Sequence, residues 1–566
     1  MLFLILATPL IVISHTGGNQ ETQVSLGCEP SVADQVDDGF VLGLRTSGSS
    51  CWNGMRLMRT YHECLRKGGA EDYCRADGPR VQQDTPRFER DSGSSTLTPI
   101  EVGTEAELRA AWADPLQTSI ELTDDIFMRS CRSGGPIRES LRPMTLDGNG
   151  HTIRMTCFEK RPLRQDGTGF LVIKNLTITR GGNDGPGAAV TTRGEIVVMD
   201  SVVHENLAEE PGGGIFSQRR ATIIRSIFTG QLRLGRRRRG VRAARRCRGV
   251  RLHLQQQPGR RLRRSHRLHW RHPGRPFPSR RQHDRWDGGA LYADEDGDIT
   301  VIDSTVDGNT ADGPGGAIFT LEGDVTIVNS TLNGNRADDR GGAISGEAGV
   351  VVINSTIARN AAVAHVGGGI WARSDLFVTN STISNNYAEG QGGGVQAAGT
   401  VGLVYTSILD NVAPVGANVG GTNLKVFGSV IGPAKTDPVG GQVQPTEANC
   451  RVSVSTSFGY NIASESSCRL DGQGDVVLAS PQLDELGAKG GFGETRLPRP
   501  GSPVLNRIPS STCEFVPFGE VLEGEQHLGQ FGIDILAPVA TDQRGVGRSQ
   551  GSGCDVGAVE LEVSKP

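Results

Sequence analysis

GGAIFTLEGDVTIVNSTLNGNRADDRGGAISGEAGVVVINSTIARN (315–360) contains two copies of one pattern. A tetrad, Gly-Gly-(Ala/Gly)-aliphatic, leads into alternating Val/Ile/Thr and polar residues, and the unit closes on aliphatic-x-x-Asn. Tetrads start at Gly212, Gly288, Gly315, Gly341, Gly367 and Gly392, with looser copies at Gly187 and Gly416. Apart from the jump between 212 and 288, the steps are 24 to 27 residues. The closing residues are Asn206, Asn309, Asn335, Asn360, Asn386 and Asn411, each 19–21 residues after its tetrad. The alternation is strand-like. A unit of ~25 residues with short strands cannot bury its apolar face alone, so it must stack on copies of itself at ~4.8 Å per layer. The expected fold is therefore all-β: a right-handed parallel β-helix (a solenoid of about 25 residues per coil). Glycine permits close approach and positive φ at corners. Asparagine tolerates the left-handed region and can form a ladder from coil to coil.

Working outward, the coils are expected over 100–440. EAELRAAW (105–112) reads as a short helix capping the first coil and hiding the open end of the core. The periodic signal fades after about 430, leaving 441–566 as a small C-terminal region. The run LFLILATPLIVI (2–13) is too short to span a bilayer and reads as the apolar core of a signal peptide over 1–14. No other segment is long and apolar enough to cross a membrane. Residues 15–99 form a cysteine-containing region and linker. Of 11 cysteines, four lie in 28–74 (Cys28, Cys51, Cys64, Cys74) and four near the end (Cys450, Cys468, Cys513, Cys554). Cys131 and Cys157 flank one coil. Clusters of this kind suggest local disulfide staples in an oxidising compartment. No C-x2-C pair supports a zinc site.

Glycine is 78 of 566 residues, about twice the usual ~7%, yet no Gly-X-Y period exists, which excludes collagen. The net charge of −4 argues against a dedicated nucleic-acid binder. It conceals an asymmetry: residues 231–286 hold 20 Arg, no Lys and one acid, Asp284, leaving −23 for the rest of the chain. This block has no Ile, Thr, Asn, Tyr, Lys or Glu, the residues that build coils elsewhere. The 76 residues from Gly212 to Gly288 equal three repeat steps, so the phase is kept. The block reads as the repeat translated in a shifted frame. If made as written, it is expected to interrupt the β-helix and expose two sheet ends.

No catalytic constellation stands out, and neither a catalytic residue, a resident cofactor nor a metal site can be assigned. A polysaccharide lyase of this architecture would need clustered acids for Ca²⁺ and a nearby basic residue. Asp200, Asp303, Asp307 and Asp324 are the acids available. Asp200 and Asp303 share the repeat phase of Asn329, Asn354 and Asn380, which favours a corner ladder. Arg180 and His151 sit at turns and read as solvent-facing. The sequons at Asn175, Asn329, Asn354 and Asn380 are accounted for by repeat phase.

The paired GGAI and aliphatic-x-x-Asn repeats resemble those of polymorphic outer-membrane proteins, a surface β-helix family linked to adhesion. That family favours Phe-x-x-Asn, where this chain has Val, Leu or Ile. The tail is similar to bacterial choice-of-anchor Q domain proteins over 449–561: NC (449–450), FGYNIASESSC (458–468), SPQLDELGAKGGFGETRLPRPGSPVLN (480–506) and TDQRGVGRSQGSGCDVGAVEL (541–561). Asn506 stands where that pattern usually has Asp. The resemblance implies Cys450–Cys468 and Cys513–Cys554 bridges and an exported bacterial protein, secreted or held at the cell surface. The expected function is non-catalytic binding of extracellular polysaccharide or cell-surface glycan by a monomer, with a polysaccharide lyase or hydrolase as the alternative.

Overall fold

The computed structural model describes residues 98–157, 160–183, 185–233, 287–294, 297–435, 448–477, 480–516, 518, 537–548 and 550–562. It also describes the backbone of three short antiparallel strands, Ile11–Val12, Thr22–Leu26 and Ala33–Val36. The signal-peptide and remaining N-terminal expectations, with Cys28, Cys51, Cys64 and Cys74, otherwise lie outside the described residues.

One repeat folds as one coil. Ile318–Thr320, Val325–Val328, Thr331–Asn333 and Arg336–Ala337 are four short strands separated by tight corners. Each pairs in parallel with its equivalent one coil on: Ile318 with Ile344, Val325 with Val350, Leu332 with Ile357 and Ala337 with Ala362. Alternate side chains point inward, so Ile318, Val325, Ile327 and Leu332 are fully buried in one continuous apolar column. The chain is an all-β parallel solenoid. Among the described residues it has a first sheet of 11 strands, second and third sheets of 13 each, and a short fourth sheet of seven.

The two tetrad glycines are needed for different reasons. Gly341 has φ +68, a left-handed corner that costs an L-residue roughly 1–2 kcal/mol. Gly342 lies so close to the next coil that a Cβ there would stand 2.0 Å from the Gly368 carbonyl oxygen. The corner between the second and third sheets is also left-handed: Asp200, Asp303, Asn329, Asn354 and Asn380 have φ between +47 and +53. These side chains can satisfy nearby backbone groups, which is why short Asn and Asp recur there.

The helix Glu105–Ala113 closes the N-terminal end and buries Leu108, Ala111 and Trp112 over the column. Thr104 and Glu107 form its capping box. The fully buried Arg138 donates to the Asp114 and Gln117 carbonyls at 2.8 Å each, fastening the segment that leaves the helix. Burial alone would raise the Glu105 carboxyl. The Arg129 and Ser130 backbone N–H groups and the Arg109 guanidinium outweigh it and hold the group at about 2, against an ordinary 4.5.

The basic block does not interrupt the stack. Ile215–Ser217 pairs with Leu291–Ala293, Ala221–Ile224 with Ile299–Ile302, and Ile227–Thr229 with Thr305–Asp307. No sheet end is exposed at this level, so that expectation is overturned. The reason is that the flanking coils gain backbone pairing and apolar cover by stacking directly on each other. Residues 234–286, including Cys247, lie outside the described residues, and the shifted-frame reading falls there.

The stack continues beyond the last tetrad. Cys450–Arg451, Val454–Ser457 and Ile462–Ala463 join the first, second and third sheets, and Val476–Val477 adds a final strand. Three disulfides are formed: Cys131–Cys157 joins adjacent coils, Cys450–Cys468 packs into the end of the column, and Cys513–Cys554 lies in the tail. The tail folds back along the outer side of the solenoid. Gln543 bonds Thr356 and Thr382, Arg496 bonds Ser384, and Ala558 N donates to Ser407.

Two outcomes follow. In other coils three residues separate the fourth strand from the tetrad, for example 312–314 and 338–340. Deleting 234–284 leaves Arg285, Trp286 and Asp287 as that turn. The shortened protein should keep its far-ultraviolet circular dichroism and melt within a few degrees of the full chain; loss of the β signal would show that the block carries the stack. Glu105→Gln should lower the melting temperature at pH 7. A depressed carboxyl stabilises the fold above its unfolded value and loses that effect as pH falls toward the folded one. The difference between wild type and variant should therefore shrink from about pH 4.5 down to about pH 2.

Candidate functional site

The six closing asparagines form a buried column between the third and fourth sheets, each 0–1% exposed. Asn335 Nδ2 donates to the Asn360 Oδ1 at 3.0 Å and to the Val306 carbonyl at 2.9 Å, while Asn335 N donates to the same Asn360 Oδ1 at 2.9 Å. Asn309 to Asn335, Asn360 to Asn386 and Asn386 to Asn411 repeat the arrangement. Gln231 fills the missing rung between Asn206 and Asn309: Asn206 Nδ2 donates to its Oε1, and its backbone N–H donates to Asn309 Oδ1. Its longer side chain and its place at the edge of the arginine block hid it from the aliphatic-x-x-Asn pattern. Beyond Asn411 the column continues through Asn418 and Asn449.

A second ladder was also missed. The backbone N–H groups of Ser226, Ser304, Ser330 and Ser355 donate at 3.0 Å to the hydroxyls of Ser304, Ser330, Ser355 and Ser381. Its signal was the Ser within the repeated Asn-Ser-Thr strings, whose repetition at one phase points to structure.

The acids are struts between coils. Asp200 takes a bidentate pair of hydrogen bonds from Arg225 at 2.7 Å each, and Asp303 accepts from Asn329 Nδ2 at 3.1 Å. Asp324 accepts from Gly349 N at 2.8 Å. Asp307 lies 3.4 Å from Asn333 Nδ2, and burial raises its carboxyl. Arg180 meets Glu205 at 3.6 Å on the surface, and His151 meets Asp125 at 3.6 Å. The structure does not bring these groups to one point. Among the described residues no three or more His, Cys, Asp or Glu gather in a way that could hold a metal ion.

The outer face of the first sheet presents a row set by strand register: Thr191, Phe216, Tyr292, Phe319, Ser345, Trp371, Gln396, Gly420 and Arg451. Phe216, Tyr292 and Phe319 stack with ring centroids 5.3 Å apart. Arg340 lies over Trp371 at 4.0 Å and also pairs with Glu347. The first glycine of each tetrad packs against this row: a Cβ on Gly315 would stand 3.0 Å from the Phe319 Cβ, and on Gly367 2.8 Å from the Trp371 Cβ. The tetrad turns thus roof the row, and the four aromatics are under a tenth exposed.

The roof opens at the C-terminal end of the sheet. A cleft of about 510 Å³ is walled there by Gln391, Gln396, Arg451, Ser453, Ser467 and Arg469, among others. Its two charged lining residues are both arginines, and each directly follows one half of the Cys450–Cys468 disulfide. This cleft is the candidate site. Sequence alone did not single it out, because Arg451 and Arg469 are 18 residues apart and ordinary in composition.

Two family descriptions match parts of the chain: a pectate lyase-like adhesive domain at residues 99–207 and a right handed beta helix region at 287–433. No curated protein matches the chain. Two solved structures are similar: "L. reuteri 53608 SRRP" at 14% identity and TM-score 0.28, and "L. reuters 100-23 SRRP" at 13% identity and TM-score 0.33. Each comparison covers 64% of this chain and 99% of the other. The chain is a parallel β-helix whose first coils match a pectate lyase-like adhesive domain.

Removing a rung should be costly. Asn360→Ala orphans the Asn335 backbone N–H and the Leu332 carbonyl inside the column. About 2–3 kcal/mol of stability should be lost by denaturant titration, against under ~0.5 kcal/mol for Glu322→Ala, which is exposed at a turn.

Proposed function

We propose that this chain is an exported bacterial surface or matrix protein that holds extracellular glycan or cell-surface polymer without transforming it. The observation that carries the reading is the adhesive-domain match at 99–207, on the first coils of an uninterrupted solenoid. A long stack offers many equivalent positions along one flank, and several weak contacts to a repeating polymer add to high avidity. The acids that a lyase or hydrolase would recruit are occupied as struts between coils, which weighs toward binding. Among the described residues no helix is long and apolar enough to cross a membrane.

We read 449–561 as a choice-of-anchor Q-like region, a reading supported by where its motif residues bond. Asp542 accepts from the backbone N–H groups of Arg544, Val546 and Glu560. The fully buried Arg548 lies 3.6 Å from the Tyr405 ring centroid and donates to Asn380 and the Gly557 carbonyl. On this reading the conspicuous motif holds the tail to the solenoid.

The test is a glycan and cell-wall binding panel, run beside an absorbance assay for unsaturated sugar products and a reducing-end assay. Binding without product is the expected result. Turnover of any bound polymer would replace this reading with the lyase or hydrolase.

A further inference from the structure

We infer that the cleft at the end of the first sheet binds an anionic glycan, whose carboxylate or sulfate group is gripped by Arg451 and Arg469. The inference rests on the adhesive reading above and names the ligand chemistry of one site. Three features carry it. The two arginines are the charged residues of the cleft wall, so an anion entering it meets attraction from both. The nearby acid Glu465 does not line the cleft; it accepts from Asn449 N and Ser467 N, both at 2.7 Å, and from the Ser467 hydroxyl.

Second, the backbone that carries the two arginines is fixed. The disulfide holds the Cys450 and Cys468 Cα atoms 4.9 Å apart, one residue before each guanidinium-bearing residue. Arg469 is fixed in a left-handed conformation, φ +51, as the cap of the short helix Ser466–Cys468, and its Nη1 donates to the Ser453 carbonyl at 3.2 Å. Arg451 is held in parallel pairing with Gly420. Arg451 is exposed, and among the described residues its guanidinium has no hydrogen-bond or ionic partner, so its donors remain open to a ligand. Fixing the backbone beneath both side chains before binding reduces the entropy lost on association.

Third, the remaining wall suits hydroxyl groups. Gln391 is exposed and Gln396 is half-buried, and both line the cleft, so their amides bring hydroxyl-binding groups to its wall. Ser453 and Ser467 complete a polar lining. The cleft volume falls within the ~300–1,000 Å³ of small-ligand sites. Gly420 leaves the gap in the outer row between Gln396 and Arg451; a Cβ there would stand 1.9 Å from the Gln396 Oε1.

The experiment uses the full chain. Binding of a glucuronate-containing tetrasaccharide, a sulfated tetrasaccharide and the carboxyl-reduced neutral counterpart is measured at physiological ionic strength. The variants are Arg451→Ala with Arg469→Ala, and Arg336→Ala with Arg499→Ala, which removes the same charge elsewhere. We expect at least ten-fold weaker binding of an acidic probe in the first pair and less than two-fold change in the second, with unchanged melting temperatures. Phenylglyoxal footprinting reads the location: the bound probe should protect Arg451 and Arg469. The carboxylated and sulfated arms tell which anion is preferred. Protection of arginines in 231–286 instead, or equal binding by the cleft variant, overturns the inference and leaves the adhesive reading standing. Tight binding of the neutral probe does the same. If neither these probes nor the broader panel bind, both fall.

Discussion

The hydrogen bond that a buried side-chain amide makes to the next coil governs this molecule. Asn335 cannot satisfy its own backbone N–H or one of its two side-chain donors until Asn360 is in place above it, and Asn360 depends likewise on Asn386. A buried amide left unpaired costs about 1–3 kcal/mol, so an isolated coil is unfavourable and a stacked one is not. Apolar burial acts in the same direction, since each inward Ile, Val or Leu is covered only by its counterparts above and below. Stability is therefore a nearest-neighbour property along one axis. The same constraint explains why the coils on the two sides of the arginine block meet: Asn206 needs the Gln231 oxygen, and the Gln231 N–H needs that of Asn309.

The polar chemistry on the outside is shaped by that stacking. Left-handed corners favour short polar residues, so Asp and Asn recur at one phase and become coil-to-coil struts, with Arg225 and Tyr405 at the same corner in two other coils. Asp200 with Arg225 and Asp303 with Asn329 use their charges and amides on each other. The tetrads have a parallel effect on the first sheet. Their first glycine turns over the outer row and covers the aromatic stack of Phe216, Tyr292 and Phe319. Only where the repeat gives out, past Gln396, does the row reach an open cleft. A regular solenoid thus hides most of its distinctive side chains and exposes them at its irregular end.

The tail acts as a strap along several coils. Glu494, Arg496, Gln543 and Arg548 reach Arg359, Ser384, Thr382 and Asn380, while Gln543 also reaches Thr356 and Ala558 N reaches Ser407, so the tail touches three successive coils. A small second core around Tyr405, Phe427, Val504 and Ile508 lies under it, closed by Cys513–Cys554. Contacts that cross many coils couple levels that would otherwise communicate only with their neighbours.

Spacing and residue type determined the coil length, the parallel stacking and the positions of the repeated asparagines, because each of these is a local requirement met in every copy. A glycine forced to positive φ or an Asn at a left-handed corner leaves the same mark at the same phase. Contacts made once leave no such mark. Arg138 under the capping helix, Arg548 against Tyr405 and the Arg451–Arg469 pair are single arginines in sequence, and nothing about their neighbours sets them apart. Gln231 and the serine ladder were visible but ambiguous, one masked by a longer side chain and the other by its likeness to a glycosylation sequon. Only the tertiary structure decided that the coils flanking the arginine block pair directly, that the acids serve as struts, and that a disulfide brings two distant arginines to one opening. Those outcomes depend on which residues far apart in the chain become neighbours, and that depends on the free energy of the whole stack.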